Sequence, residues 1–256
     1  MPILKDFTCG KLRTRVFSTR EEMGACAGTE AALKIKELLC EKEEINVMFA
    51  AAPSQNETLQ TLMADPDIDW NRVNGFHMDE YVGLEETHPA GFRNFLRKAV
   101  FNRKPFRSVH LLNGNAQDPE KEAERYETLL REHPLDVCIL GVGENGHIAF
   151  NDPPVADFQD PKLVKIVKLD EVCREQQVHD GCFASIEEVP THALSVTIPG
   201  LCGAKWMYCS VPAATKAYAV EHLVRDPVSP ACPATILKEQ EHAFLYTDAD
   251  AGRGIL

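Results

Sequence analysis

The chain has no cysteine pair at C-x-x-C spacing and no H-E-x-x-H run, although it carries nine cysteines and nine histidines. Without those frames no dedicated metal site is expected. The cysteines are odd in number and mostly flanked by apolar residues, which argues against a disulfide framework and for reduced, buried thiols in a cytosolic protein. Basic side chains are scarce: 27 Lys and Arg face 39 Asp and Glu, for a formal net charge of -12. Such a surface repels phosphate backbones and anionic membranes, so neither nucleic acid nor a membrane is an expected partner. A small phosphorylated molecule stays admissible, because one lysine and a few backbone N–H groups can neutralise a phosphate locally. No window approaches the roughly 20 apolar residues that span a bilayer, and "MPILKDFTCGKLRTRVF" holds no secretory apolar stretch. The expected location is the cytoplasm. Internal repeats, low-complexity tracts and linkers are absent too, so 256 residues with 44% hydrophobic content read as one domain, 1–256.

What the chain does have is an alternation of apolar runs and amphipathic segments. Runs of strand length begin at residues 45 ("INVMFAAA"), 72 ("RVNGFHM"), 108 ("SVHLL"), 135 ("LDVCILGV"), 192 ("HALSVTI"), 205 ("KWMYCSV") and 242 ("HAFLYT"). Several are continuously apolar, as strands covered on both faces are. Between them lie helix signals: Thr19 with Glu22 as a capping box ahead of Ala32, Ile35 and Leu39, and Asp118 before Pro119 at a first helical position. "PAATKAYAVEHLV" supplies a further short helix, and "RDPVSPACPAT" reads as a surface loop. The expected fold is therefore α/β, a single-domain, mostly parallel, doubly wound (Rossmann-like) sheet with helices on both faces. Ligands of such sheets bind beyond the carboxyl ends of the strands.

Four segments leave strand ends with chemistry-bearing groups. In "DVCILGVGENGHIAFNDPP" the apolar run stops at Gly141, Val142 and Gly143, and Asn145, His147 and Asp152 follow. An imidazole at that exit can move protons near neutral pH. In "FHMDEYVGL" Asp79 and Glu80 follow an apolar stretch directly, so one carboxylate can enter the crevice as a general base and the other can face solvent. "FAAAPSQNETLQTL" turns from strand to helix through Ala51, Ala52, Pro53, Ser54 and Gln55, a corner whose N–H groups can hold a phosphate, with Ser54 or Asn56 able to cap the helix. In "VPAATKAYAV" Lys216 lies in the first turn of a helix after a strand, at the same edge, and offers a cation to an anionic ligand.

In this order "FHMDEYVGL", "LLNGNA", "LGVGENGHIAFNDPP" and "TKAYAVEHLV" resemble the glucosamine-6-phosphate deaminase (isomerase) family, whose superfamily also holds 6-phosphogluconolactonases. The resemblance covers nearly the whole chain. It implies conversion of glucosamine 6-phosphate, or a close hexosamine 6-phosphate, to a ketose 6-phosphate and ammonia, with no metal or organic cofactor. It also implies that His147 assists ring opening, Asp79 shuttles a proton between C2 and C1, Asp152 orients His147 and Lys216 holds the phosphate. The chain departs from the family pattern in several places. Asn145 and Asp152 stand where Asp and Glu are usual, which removes a negative charge beside His147 and shortens the orienting carboxylate. The glycine-rich phosphate turn is replaced by Ala51, Ala52, Pro53, Ser54 and Gln55. The nearest candidate for a phosphate arginine is Arg174 in "VCREQQVHDGCF".

Two alternatives keep the fold and change the function. One is lactone hydrolysis with His147 activating water; the "MDEYVGL" carboxylates rank it lower. The other is a non-catalytic sugar-phosphate sensor, for which the chain has neither room nor charge for an accompanying DNA-binding helix-turn-helix. A homo-oligomer is left open.

Overall fold

Every residue of Ile45–Phe49 is buried, and alternate side chains go to opposite sides: Ile45, Val47 and Phe49 join one apolar cluster, Met48 the other. Val137–Leu140 repeats this, with Val137 and Ile139 on one side and Cys138 and Leu140 on the other. A period of two with both faces apolar marks interior parallel strands covered by helices. The computed structural model describes residues 3–256 and has this architecture.

In chain order the first half contains β1 (Ile3–Cys9), β2 (Leu12–Phe17), α1 (Arg20–Glu41), β3 (Ile45–Phe49), α2 (Asn56–Ala64), β4 (Val73–His77), β5 (Asp79–Tyr81), α3 (Phe92–Leu96), β6 (Ser108–His110) and α4 (Pro119–Glu132). The second half contains β7 (Val137–Leu140), β8 (Val164–Lys168), α5 (Glu171–His179), β9 (His192–Val196), α6 (Ile198–Cys202), β10 (Trp206–Val211), α7 (Ala217–Arg225) and β11 (Ala243–Asp248). An 8-stranded sheet runs β1-β2-β11-β10-β7-β3-β4-β6 and is parallel except for the β1–β2 hairpin at its edge. Thr19 caps α1 by accepting from the Glu22 N–H at 3.2 Å, and Asp118 caps α4 by accepting from the Lys121 N–H at 3.2 Å. No helix of the described residues is long and apolar enough to cross a membrane.

The single-domain, mostly parallel α/β fold is the expected one, with three differences. The run "HALSVTI" does not enter the large sheet: β9 is the middle strand of a separate antiparallel sheet, β5-β9-β8. Its partners are too short, or too polar on one face, to stand out as apolar runs: β5 has 3 residues and β8 exposes Lys168. The β1–β2 hairpin has the same origin, since most of β1 is exposed. The surface loop expected at "RDPVSPACPAT" dives inward at its end, where Cys232, Ala234 and Thr235 are buried against the Gly146 turn. Nine cysteines are free, and Cys138, Cys173, Cys209 and Cys232 are buried as expected, but Cys40 is exposed on α1.

Candidate active site

The chain leaves β4 at His77, passes Met78 and enters β5 at Asp79, so that carboxylate sits at the seam between the two sheets. Beyond the carboxyl ends of β3, β4, β7 and β10 the seam opens into a cleft. Asp79, His147, Lys216, Ala51, Ala52, Ser54 and Gln55 all line it. Four separate stretches of sequence are thus brought to one hollow.

His147 is placed by glycines. The imidazole lies flat on Gly143, so closely that a Cβ there would come within 2.0 Å of the ring. Gly146 turns the chain at φ +85, with the Gly146 carbonyl accepting from the Ala234 N–H at 2.9 Å. The ring Nδ1 faces two oxygens, Asn145 Oδ1 at 2.8 Å and Asp152 Oδ1 at 2.9 Å, both acceptors, so Nδ1 carries the proton and Nε2 is left for a ligand. Asp152 is fully buried and also accepts from Asn145 Nδ2 at 3.0 Å and the Asp170 N–H at 3.2 Å. Burial alone would raise its pKa. The charge and hydrogen bond of His147, with those from Asn145 and Asp170, reverse this and hold the carboxyl below its ordinary range. The shorter Asp152 therefore does reach the imidazole, and Asn145 ties the pair together instead of adding a charge. Cys173 lies behind them: its sulfur, the His147 ring nitrogen and an Asp152 oxygen fall within 4.8 Å of one another. This is the one metal-capable cluster among the described residues, and two of its three groups already bond each other.

Asp79 is set differently. It is buried yet accepts no hydrogen bond from the described residues, and burial, reinforced by the neighbouring charge of Glu80, pushes its pKa well above the usual carboxylate range. Glu80 does not face solvent as expected. It is buried and accepts from the N–H groups of Tyr81 at 3.0 Å, Phe92 at 3.1 Å and Arg93 at 2.9 Å, so it holds the start of α3, whose Phe92 and Phe95 form an apolar cleft wall. The alternation of a strand sends these adjacent carboxylates to opposite sides, one to the cleft and one to the scaffold.

Lys216 ends a short 3-10 turn between β10 and α7. Its ammonium is buried without a hydrogen-bonding partner, and burial lowers its pKa against the opposing pull of Asp180, Glu144 and Cys173. The turn starts at Ala213, whose φ of +83 is strained for a residue with a Cβ. Asp248 holds it there, accepting from the Ala213 N–H at 3.0 Å and the Ala251 N–H at 2.8 Å.

At the β3 exit neither Ser54 nor Asn56 caps α2. The Gln55 carboxamide donates to the Ser210 carbonyl at 3.0 Å and to Ser54 Oγ at 3.1 Å, so it braces the corner. Arg174 does not reach the cleft. Its guanidinium donates to the carbonyls of Ile186 at 2.6 Å and Val189 at 2.9 Å, because its position on α5 points it at the following loop. Besides the apolar wall of Phe92 and Phe95, the cleft residues that sequence reasoning overlooked include four from that same helix and its exit: Gln176, Gln177, Asp180 and Cys182. The signal was present, since Cys173, Gln177 and Asp180 recur at helical spacing.

Residues 18–246 match the family described as "Glucosamine-6-phosphate isomerases/6-phosphogluconolactonase". The chain belongs to that family. It is 34% identical over 225 residues to a glucosamine-6-phosphate deaminase of Listeria monocytogenes serotype 4a (strain HCC23), covering 88% of this chain and 94% of that protein. A deaminase of the same name from Bacillus thuringiensis (strain Al Hakam) is 34% identical over 236 residues, covering 92% of this chain and 86% of that one. Among solved structures, a monomeric glucosamine-6-phosphate deaminase superposes with a TM-score of 0.85 at 27% identity, covering 94% of this chain and 99% of that one. A 6-phosphogluconolactonase from Thermotoga maritima shares the fold, with a TM-score of 0.72 at 20% identity over 92% of this chain and 99% of its own. This member of the isomerase/lactonase family is accordingly an enzyme.

Proposed function

We propose that the cleft converts glucosamine 6-phosphate, or a close hexosamine 6-phosphate, and water to fructose 6-phosphate (or the matching ketose 6-phosphate) and ammonia. The observation that carries this is the pairing, in one cleft, of an unbonded carboxylate with a raised pKa and an imidazole whose other nitrogen is locked by Asp152. Carbon-acid chemistry needs such a base, and opening a pyranose needs a second group for the ring oxygen. His147 Nε2 relays the proton between the anomeric hydroxyl and the ring oxygen, which frees the C1 aldehyde. Asp79 takes the proton from C2 while the substrate's own ammonium gives a proton to the C1 oxygen, forming the enolamine; Asp79 then returns its proton to C1, leaving an iminium at C2. Water adds to that iminium, and ammonia departs as the ketone forms. The unpartnered Lys216 ammonium supplies the charge for the 6-phosphate. The names of the relatives support the same substrate.

The test is incubation of the purified protein with glucosamine 6-phosphate. Ammonia and fructose 6-phosphate are expected in equal amounts, and Asp79→Asn is expected to slow the formation of both by about 10²–10⁴-fold. No turnover of any hexosamine 6-phosphate rejects the proposal. If 6-phosphogluconolactone is then hydrolysed faster than it decays on its own, the lactonase alternative takes its place.

A further inference from the structure

The two glutamines in "EQQ" of α5 have different fates. Gln176 is spent on the scaffold, accepting from the Glu144 N–H at 2.9 Å and donating to Asp180 Oδ2 at 3.3 Å. Gln177, with 6% of its surface exposed, lines the cleft, and its carboxamide makes no hydrogen bond within the described residues. An amide that lines a cavity with no protein partner is free to hydrogen-bond a ligand there. The location of that ligand group follows from helix geometry. Residues 173 and 177 share one face of α5, the C-cap Asp180 continues it, and Cys173 and Asp180, one turn either side of Gln177, both act on the charge of Lys216. Gln177, Asp180 and the unpartnered Lys216 ammonium all line the same cleft.

We propose that Gln177 is the second ligand of the substrate's anionic group, donating from Nε2 to an oxygen that Lys216 also holds. Arg174, tied to Ile186 and Val189, has no part in it. The assignment rests on the phosphosugar reading of the cleft and adds a consequence for specificity. With a neutral amide beside a single ammonium, and the Asp180 carboxylate one turn on, the anion is gripped through geometry more than through charge. Such a site should bind phosphate weakly and respond strongly to an added cation.

The experiment is calorimetric titration of the wild type, Gln177→Ala and Gln177→Arg with inorganic phosphate, alongside KM for glucosamine 6-phosphate. Loss of a hydrogen bond to a charged group is expected to weaken phosphate binding about tenfold in Gln177→Ala and to raise KM similarly. Gln177→Arg is expected to tighten phosphate binding by several-fold and to steepen its salt dependence, a gain that a misfolded variant cannot show. Phosphate affinity and KM within twofold of wild type in both variants overturn the assignment while leaving the deaminase reading intact. Phosphate binding that follows residue 177 without turnover of any hexosamine phosphate sustains the assignment and rejects the reading instead.

Discussion

Asp79 and Asp152 are both buried aspartates, yet their surroundings push them in opposite directions. Asp152 meets two N–H donors and an imidazole, whereas Asp79 accepts no hydrogen bond and has a second carboxylate beside it. A raised folded-state pKa stabilises the protein below the ordinary carboxylate range, and that contribution is lost as pH rises through the shifted value. Toward neutral pH, burial of Asp79 therefore costs the folded chain stability. Asp79→Asn should lower kcat by about 10²–10⁴, the share of a general base. The same change should raise stability at pH 7.5 by about 1 kcal/mol, seen as roughly 2–4 °C in a thermal melt. The gap should close near pH 4, where both proteins hold a neutral group; a variant melting below wild type at pH 7.5 would contradict this. In the wild type kcat/KM should rise with pH along an acid limb set above ordinary carboxylates, because only ionised Asp79 removes the C2 proton.

Among the elements α3 depends most on a single side chain. It has 5 residues, too few to stand alone, and its first N–H groups go to the Glu80 carboxylate rather than to a local cap. Glu80→Ala leaves those buried donors unmet and should cost about 1–3 kcal/mol. It should also loosen the Phe92 and Phe95 wall, so KM rises even where the fold survives. Hydrogen exchange at the Phe92 and Arg93 amides checks it: protection equal to wild type would show that another group caps the helix. In the sequence Glu80 is merely the neighbour of Asp79, and its partner lies 12 residues on. That separation is why it read as a solvent-facing residue.

For the whole molecule, the cleft is stabilised by what fills it. On the proposed reading the unpartnered Lys216 ammonium and the Gln177 carboxamide hold an anionic ligand, which then binds the folded chain and not the unfolded one. Inorganic phosphate at 100 times its dissociation constant should stabilise the wild type by about 2.7 kcal/mol. Lys216→Met, which keeps the length and drops the charge, should melt at the same temperature with and without phosphate. An equal phosphate shift in both would place the anion elsewhere.

By itself the sequence determined the parallel α/β core, because continuous apolar runs have only one economical use, between two layers of helices. It also determined the Gly143–Gly146 exit carrying His147, because glycines at that spacing permit a ring to lie on the backbone. The tertiary structure alone decided which of Asp79 and Glu80 entered the cleft, that the short Asp152 reaches His147, and that Arg174 turned away while Gln177 turned in. Each of those outcomes depends on a partner distant in the chain or on the rotation of one helix. Local pattern carries burial and periodicity; it does not carry the direction in which a polar side chain finds its bond.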